Sequence, residues 1–147
     1  MPLTDGQIAL RLLLAAGVGA LLGAEREMRR KSAGFRTNIL IAIGACVFTI
    51  VGLSFGGGDP SRVSAQIVTG IGFLGAGAIL HSGDHVRGMT TAAMIWVNAA
   101  LGTAAGLGHF RLVTIGSAFT LAVLLILAPI ERSIERGVER RGAPPKT

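Results

Sequence analysis

Five apolar stretches, parted only by short connections, leave this chain few ways to fold. They cover about 7–24, 37–55, 63–80, 89–107 and 112–130. Each approaches the roughly 20 residues that an α-helix needs to span a bilayer. The first contains Arg11; the other four hold no Asp, Glu, His, Lys or Arg in their interiors. The connections, 25–36, 56–62, 81–88 and 108–111, are too short for a soluble domain and force successive helices to be neighbours. The fold expected is an all-α integral membrane bundle of about five transmembrane helices, over 1–131, followed by a short basic tail, 132–147.

Composition agrees. Half of the residues are hydrophobic and 15% are charged, against roughly 25% in soluble domains. Glycine is 22 of 147 residues and concentrates inside the apolar runs, as in membrane helices that pack closely. The lone Cys46 excludes a disulfide framework within one chain.

Residues 66–80 carry the densest set of small side chains. At about 100° per residue, Ala65, Thr69, Gly72 and Ala76 share one stripe, Gly70 and Gly77 lie on another side, and Gly75 lies between. In lipid, small residues let backbones approach, which is a main source of helix association. This segment is therefore expected to be the central helix, with Gly70, Gly72, Gly75 and Gly77 as packing positions.

Basic residues orient the bundle. The first loop, third loop and tail carry 11 of the 14 Lys and Arg, and the opposite side carries Arg11, Arg62 and Arg111. The N-terminus is expected outside and the C-terminus in the cytoplasm. The net charge of +6 is thus topological, and no nucleic-acid partner is expected. The first run has no basic region before it and is followed by charges, unlike a cleaved signal peptide. In the tail, Glu131, Glu135 and Glu139 lie beside Arg132, Arg136 and Arg140 on a continued fifth helix, which Gly142, Pro144 and Pro145 end; the last residues are expected to be disordered.

Several polar residues stand at the ends of these runs. Asp59-Pro60-Ser61-Arg62 reads as a helix start, with Asp59 as N-cap and Pro60 at the first helical position; Asp59 and Arg62 are placed to pair, with Gln66 one turn deeper. Glu25 and Arg36 bracket the first loop. Two readings stay open there: a solvated basic loop against anionic headgroups, or a Glu25–Arg36 ion pair tucked under the bundle. Thr90 or Thr91 is placed to cap the fourth helix after Arg87-Gly88. Asn98, in mid-helix, must face the bundle, because an unsatisfied amide in hydrocarbon is costly; it either ties helices together or lines a polar path.

What is missing also constrains function. Hard divalent cations want several oxygen ligands, and proton relays want ionisable groups inside the membrane. His81, Asp84 and His85 make only a loose cluster in one loop. No phosphate loop, nucleophile elbow or zinc-protease motif is present. No catalytic, cofactor or metal site is expected.

The chain resembles the membrane domain of the MgtC/SapB family. The resemblance rests on Gly23-Ala24-Glu25-Arg26-Glu27, Ala33-Gly34-Phe35-Arg36-Thr37, Asp59-Pro60-Ser61-Arg62, the block from Gln66 to Gly77, and Val86-Arg87-Gly88-Met89-Thr90-Thr91-Ala92-Ala93 with Trp96. It covers 23 to about 106. It implies a multi-pass protein of the bacterial inner membrane, linked to growth in low magnesium and to survival inside host cells, and a modulator of other membrane machinery, including the ATP synthase. It would mark Glu25, Arg36, Thr37, Asp59, Arg62, Gln66, Arg87, Thr90 and Thr91. The family pattern puts His where Asn38 stands, a small residue where Met94 stands, and a small or β-branched residue where Asn98 stands. Many members carry a soluble regulatory domain after the last span, about which this chain says nothing.

The reading favoured is a non-enzymatic regulator that meets the bilayer, and another membrane protein or a second copy, through smooth helix faces. The alternative is a subunit of a transporter or channel for magnesium or another small ion. That reading lacks a carboxylate route, since Asp59 and Asp84 fall on opposite sides. A membrane enzyme lacks any catalytic constellation.

Overall fold

A computed structural model describes the backbone of residues 3–55, 60–82 and 85–142, and the side chains of 3–55, 61–79 and 87–128. Five helices follow in order: α1 (Asp5–Met28), α2 (Phe35–Ser54), α3 (Pro60–Gly77), α4 (Met89–Leu107) and α5 (Phe110–Gly142). Two three-residue strands, β1 (Leu80–Ser82) and β2 (His85–Arg87), pair antiparallel between α3 and α4. This hairpin was not anticipated; three-residue strands leave no alternating pattern to read. The helix boundaries otherwise fall within a few residues of the apolar runs, and α5 ends at Gly142, where the tail's breakers begin.

The chain divides into two compact units, Met1–Ser117 and Ala118–Thr147, so the division falls inside α5. In the second unit α5 continues as helix to Gly142. α1, α2, α4 and the Phe110–Ala128 part of α5 are long and apolar enough to cross a membrane; α3 is not among them. Ser61, Arg62, Ser64, Gln66 and Thr69 dilute its apolar character. Leu13, Leu40, Phe48 and Phe73 point outward and are more than half exposed, as suits side chains bathed in lipid. The chain is a multi-pass membrane protein.

The core of the first unit lies among α1, α2 and α4. α1 starts with a capping box: Gln7 N donates to Thr4 Oγ1 at 3.3 Å and Thr4 N donates to Gln7 Oε1 at 3.1 Å. Its buried stripe is Ala15, Val18, Gly19, Leu22, Gly23 and Arg26, the spacing of one helix face. α2 answers with Asn38, Ala42, Ala45, Cys46, Thr49 and Gly52. α4 is buried more broadly, through Met94, Ile95, Asn98, Ala99, Gly102 and Ala105 among others. Glycines let the backbones touch. A methyl group at Gly102 would run into the Ala42 carbonyl, and one at Gly106 would lie 2.7 Å from Thr49 Cβ. At Gly19 it would lie 2.7 Å from Asn38 O.

α3 corrects the expectation of a central helix. It runs along the edge of this group, touching α2 where Val63 meets Gly52 and α4 where Gly75 meets Ala92. An added methyl at Gly75 would sit 3.7 Å from Ala92, while Gly70, Gly72 and Gly77 have nothing within 4 Å among the described residues. Small residues alone did not locate the centre because α1, α2 and α4 carry them on more than one side as well: Gly17 and Gly44 meet nothing within 4 Å among the described residues, whereas Gly19, Gly23, Gly102 and Gly106 face a neighbouring backbone.

Candidate functional site

The end of the first unit where α1 stops and α4 starts gathers Glu25, Arg26, Asn38 and Thr91 among the buried polar residues. α1 closes at Arg29, whose N–H donates to Glu25 O at 3.1 Å. The last turn of α1 holds Glu25 and Arg26, both 3% exposed. Glu25 Oε1 forms an ion pair with Arg29 Nε, one turn on. Arg26 reaches across to α4, where its Nη2 donates to Thr91 Oγ1 at 2.6 Å. Ser32, in the loop between α1 and α2, brings its hydroxyl within 3.3 Å of the same Thr91 oxygen.

A second set of ties lies one layer deeper. Asn98 of α4 and Asn38 of α2 are both fully buried. Asn98 Nδ2 donates to Asn38 Oδ1 at 2.6 Å. Asn38 Nδ2 in turn donates to Ala33 O at 2.5 Å and Gly34 O at 2.8 Å. Glu27 Oε2 accepts from Phe35 N at 3.1 Å and so caps α2, whose own N-cap, Gly34, offers no side chain. The loop that these bonds hold bends through two left-handed residues, Arg30 at φ 52° and Ala33 at φ 57°.

Two of the sequence-based expectations change, one of them an alternative left open, and a third is decided between its two readings. Glu25 pairs with Arg29 and not with Arg36, which is exposed: a partner one turn away on the same helix is nearer than one beyond the loop. α4 takes Gly88 as its N-cap, in a left-handed conformation at φ 93°, with no side-chain cap. Thr91, freed from capping, faces Arg26 instead, while Thr90 is exposed. Asn98 ties helices together, as one of its two readings had it.

The other predicted residues lie elsewhere. Thr37 and Gln66 are both exposed and line an apolar groove of about 590 Å³ between α2 and α3, with Leu40, Phe48, Gly70 and Leu74. Arg62 and Arg87 are exposed. Asp59, and with it the proposed N-cap and the pairing with Arg62, lies outside the described residues, as do Asp84 and the side chains of His81, His85 and 131–140. Among the described residues no three of His, Cys, Asp and Glu are grouped to hold a metal ion.

Sequence reasoning passed over Arg26, Ser32 and Asn38 as working residues. The signal for two of them was present. Arg26 continues the stripe Ala15, Gly19, Leu22 at i+11, and Asn38 precedes Ala42 by one turn on the buried face of α2.

At the opposite end, Arg11 Nη1 donates to Gly106 O at 2.5 Å. A cation at the C-terminus of α4 meets both open carbonyls and the negative end of the helix dipole. That explains the one charge inside the first apolar run.

The chain is 46% identical over 121 residues to protein MgtC of Salmonella typhimurium (strain 14028s / SGSC 2262), an alignment covering 82% of this chain and 50% of that protein. It is 45% identical over 127 residues to protein MgtC of Brucella abortus (strain 2308), covering 86% and 53% respectively. The chain thus spans about half the length of these curated relatives. No solved structure matches it. The model of the MgtC family matches residues 12–133, and the chain belongs to that family.

Proposed function

We propose that the protein is a non-enzymatic component of the bacterial inner membrane that modulates another membrane protein during adaptation to low magnesium or host-like stress. With α3 crossing the bilayer beside the four longer apolar helices, the N-terminus lies outside and the C-terminus in the cytoplasm, a reading supported by the 11 to 3 bias of basic residues. The observation that carries the reading is the open side of α3. Gly70, Gly72 and Gly77 have nothing within 4 Å, and the groove beside Gly70 also holds Gln66. A bare small-residue face with an amide beside it suits close approach by another transmembrane helix. Among the described residues of the first unit, nothing needs those glycines to be glycine.

The experiment is growth complementation in low magnesium with matched expression. Gly72→Leu should reach the membrane in normal amount, keep its thermal stability in detergent, and fail to support growth. Growth like wild type would remove α3 as the contact face. Purified protein in liposomes with a cation-sensitive dye addresses the ion-transport reading, and flux above empty liposomes would replace the regulator with a carrier.

A further inference from the structure

The ties around the α1–α2 loop share one property: α4 supplies an end of two of them. Thr91 and Asn98 are seven residues apart, two turns on one face of α4. Thr91 meets Arg26 and Ser32, and Asn98 meets Asn38, which holds the carbonyls of Ala33 and Gly34. The loop itself is strained, since Arg30 and Ala33 are left-handed without being glycine. Such conformations persist only where the surroundings over-determine them. Three buried polar atoms have no partner among the described residues: Glu25 Oε2, Arg26 Nε and Asn98 Oδ1. All three belong to this network. A buried network with open valences is poised against arrangements that would satisfy it.

From this geometry we infer that the loop between α1 and α2 is a strap latched by α4 and released as a unit when α4 leaves its seat. With α4 in place, Thr91 and Asn98 hold Ser32 and Asn38, and the left-handed turns are kept. When α4 shifts, both ties break together. Arg30 and Ala33 relax, Glu25 and Arg26 gain access to water, and the basic residues Arg29, Arg30 and Lys31 swing free at the membrane surface. The fold thereby converts the position of one helix inside the bundle into exposure of a basic loop outside it. This mechanism stands apart from the α3 contact proposed above and does not require it.

Hydrogen exchange on the full chain in detergent micelles tests the latch. The readout is the hydrogen-bonded amides of Arg29, Arg30, Lys31 and Phe35, with tryptic cleavage after Arg29, Arg30 and Lys31 as a second measure. Thr91→Val and Asn98→Leu should each raise exchange and cleavage of the loop about tenfold, while amides in the middle of α1 stay as in wild type. Thr91→Ser, which keeps the hydroxyl, should match wild type. Thr49→Val is the control, because Thr49 is buried in the same core but bonds only Ala45 O of its own helix. If Asn98→Leu does not fold, the Thr91 pair decides. Loop exchange at the wild-type rate in Thr91→Val would overturn the latch. So would equal acceleration by Thr49→Val, which would mark the loop as a passive cap that follows overall stability.

Discussion

Asn98 on α4 donates its amide hydrogen to the side-chain oxygen of Asn38 on α2 at 2.6 Å. These are two of the positions that the resemblance read from the sequence would fill with other residues, and the two meet each other. An amide buried alone in a membrane bundle is a cost, whereas two that meet supply a donor and an acceptor. Each makes the other tolerable.

The pair should therefore be coupled. Asn98→Leu alone leaves the Asn38 carbonyl oxygen without its donor, a loss of about 1–3 kcal/mol. Asn38→Leu alone is the more damaging change, because it also strips Ala33 O of its side-chain donor and leaves Gly34 O with the residue 38 backbone N–H alone. The double variant should cost less than the sum, with a coupling of roughly 0.6–1.7 kcal/mol, the range found for hydrogen bonds between membrane helices. Unfolding of all four proteins in the same detergent measures it; strict additivity would mean that the bond contributes nothing.

The glycines should sort by position and not by helix. Gly102→Ala forces a methyl into the Ala42 carbonyl and should cost about 1–3 kcal/mol, as overpacking does. Gly70→Ala and Gly72→Ala meet nothing within 4 Å and should be neutral or slightly stabilising, since Ala is the better helix former by about 1 kcal/mol. Thermal midpoints in detergent give the ranking. A reversed order would place α3 in the centre after all.

Much of the architecture is legible in the sequence, and the reason is physical. Apolar runs of spanning length have one stable backbone conformation in lipid, so α1, α2, α4 and α5 fall close to where the apolar runs put them. Packing order is less legible. Gly72 and Gly102 look alike in sequence, each within a glycine- and alanine-rich run; which of them meets a neighbour depends on helix rotation, and helix rotation is set by all the contacts together. The candidate site divides in the same way. Glu25 and Thr91 are marked by motif, and both are buried at one end of the bundle. Their partners, Arg29 and Arg26, leave fainter signals, an i+4 spacing from Glu25 and a place on the buried stripe of α1. Thr91 stands where a cap belongs, and only the left-handed Gly88 shows that α4 begins without one.

Arg11 offers a test at the other end of α4. Its guanidinium satisfies Gly106 O at a helix terminus, so Arg11→Met should lower stability by about 1.5–3 kcal/mol, the range for a hydrogen bond to a charged group. Arg11→Lys should recover part of the loss, because the cation still meets the dipole while the reach and the forked geometry differ. If Met and Arg are equally stable at position 11, that contact is ornamental.

The last prediction concerns Arg26 and Thr91, and it turns on what is left behind. Arg26 is 3% exposed, and its Nε already lacks a partner among the described residues. Thr91→Val removes the acceptor from Nη2 and leaves a buried cation with one bond fewer. Arg26→Met removes the cation itself and keeps much of its length. A buried charge stripped of its partner is costly, whereas replacing the charged group by an apolar one of similar volume is often close to neutral. Thr91→Val should therefore destabilise by about 1–3 kcal/mol, and Arg26→Met should cost no more than that despite the larger chemical change. The double variant Arg26→Met, Thr91→Val should be at least as stable as Thr91→Val alone. Unfolding in detergent at fixed pH and salt gives the comparison. If the double variant is instead less stable than Thr91→Val, the guanidinium contributes stability beyond its bond to Thr91, and burial there is a gain and not a cost.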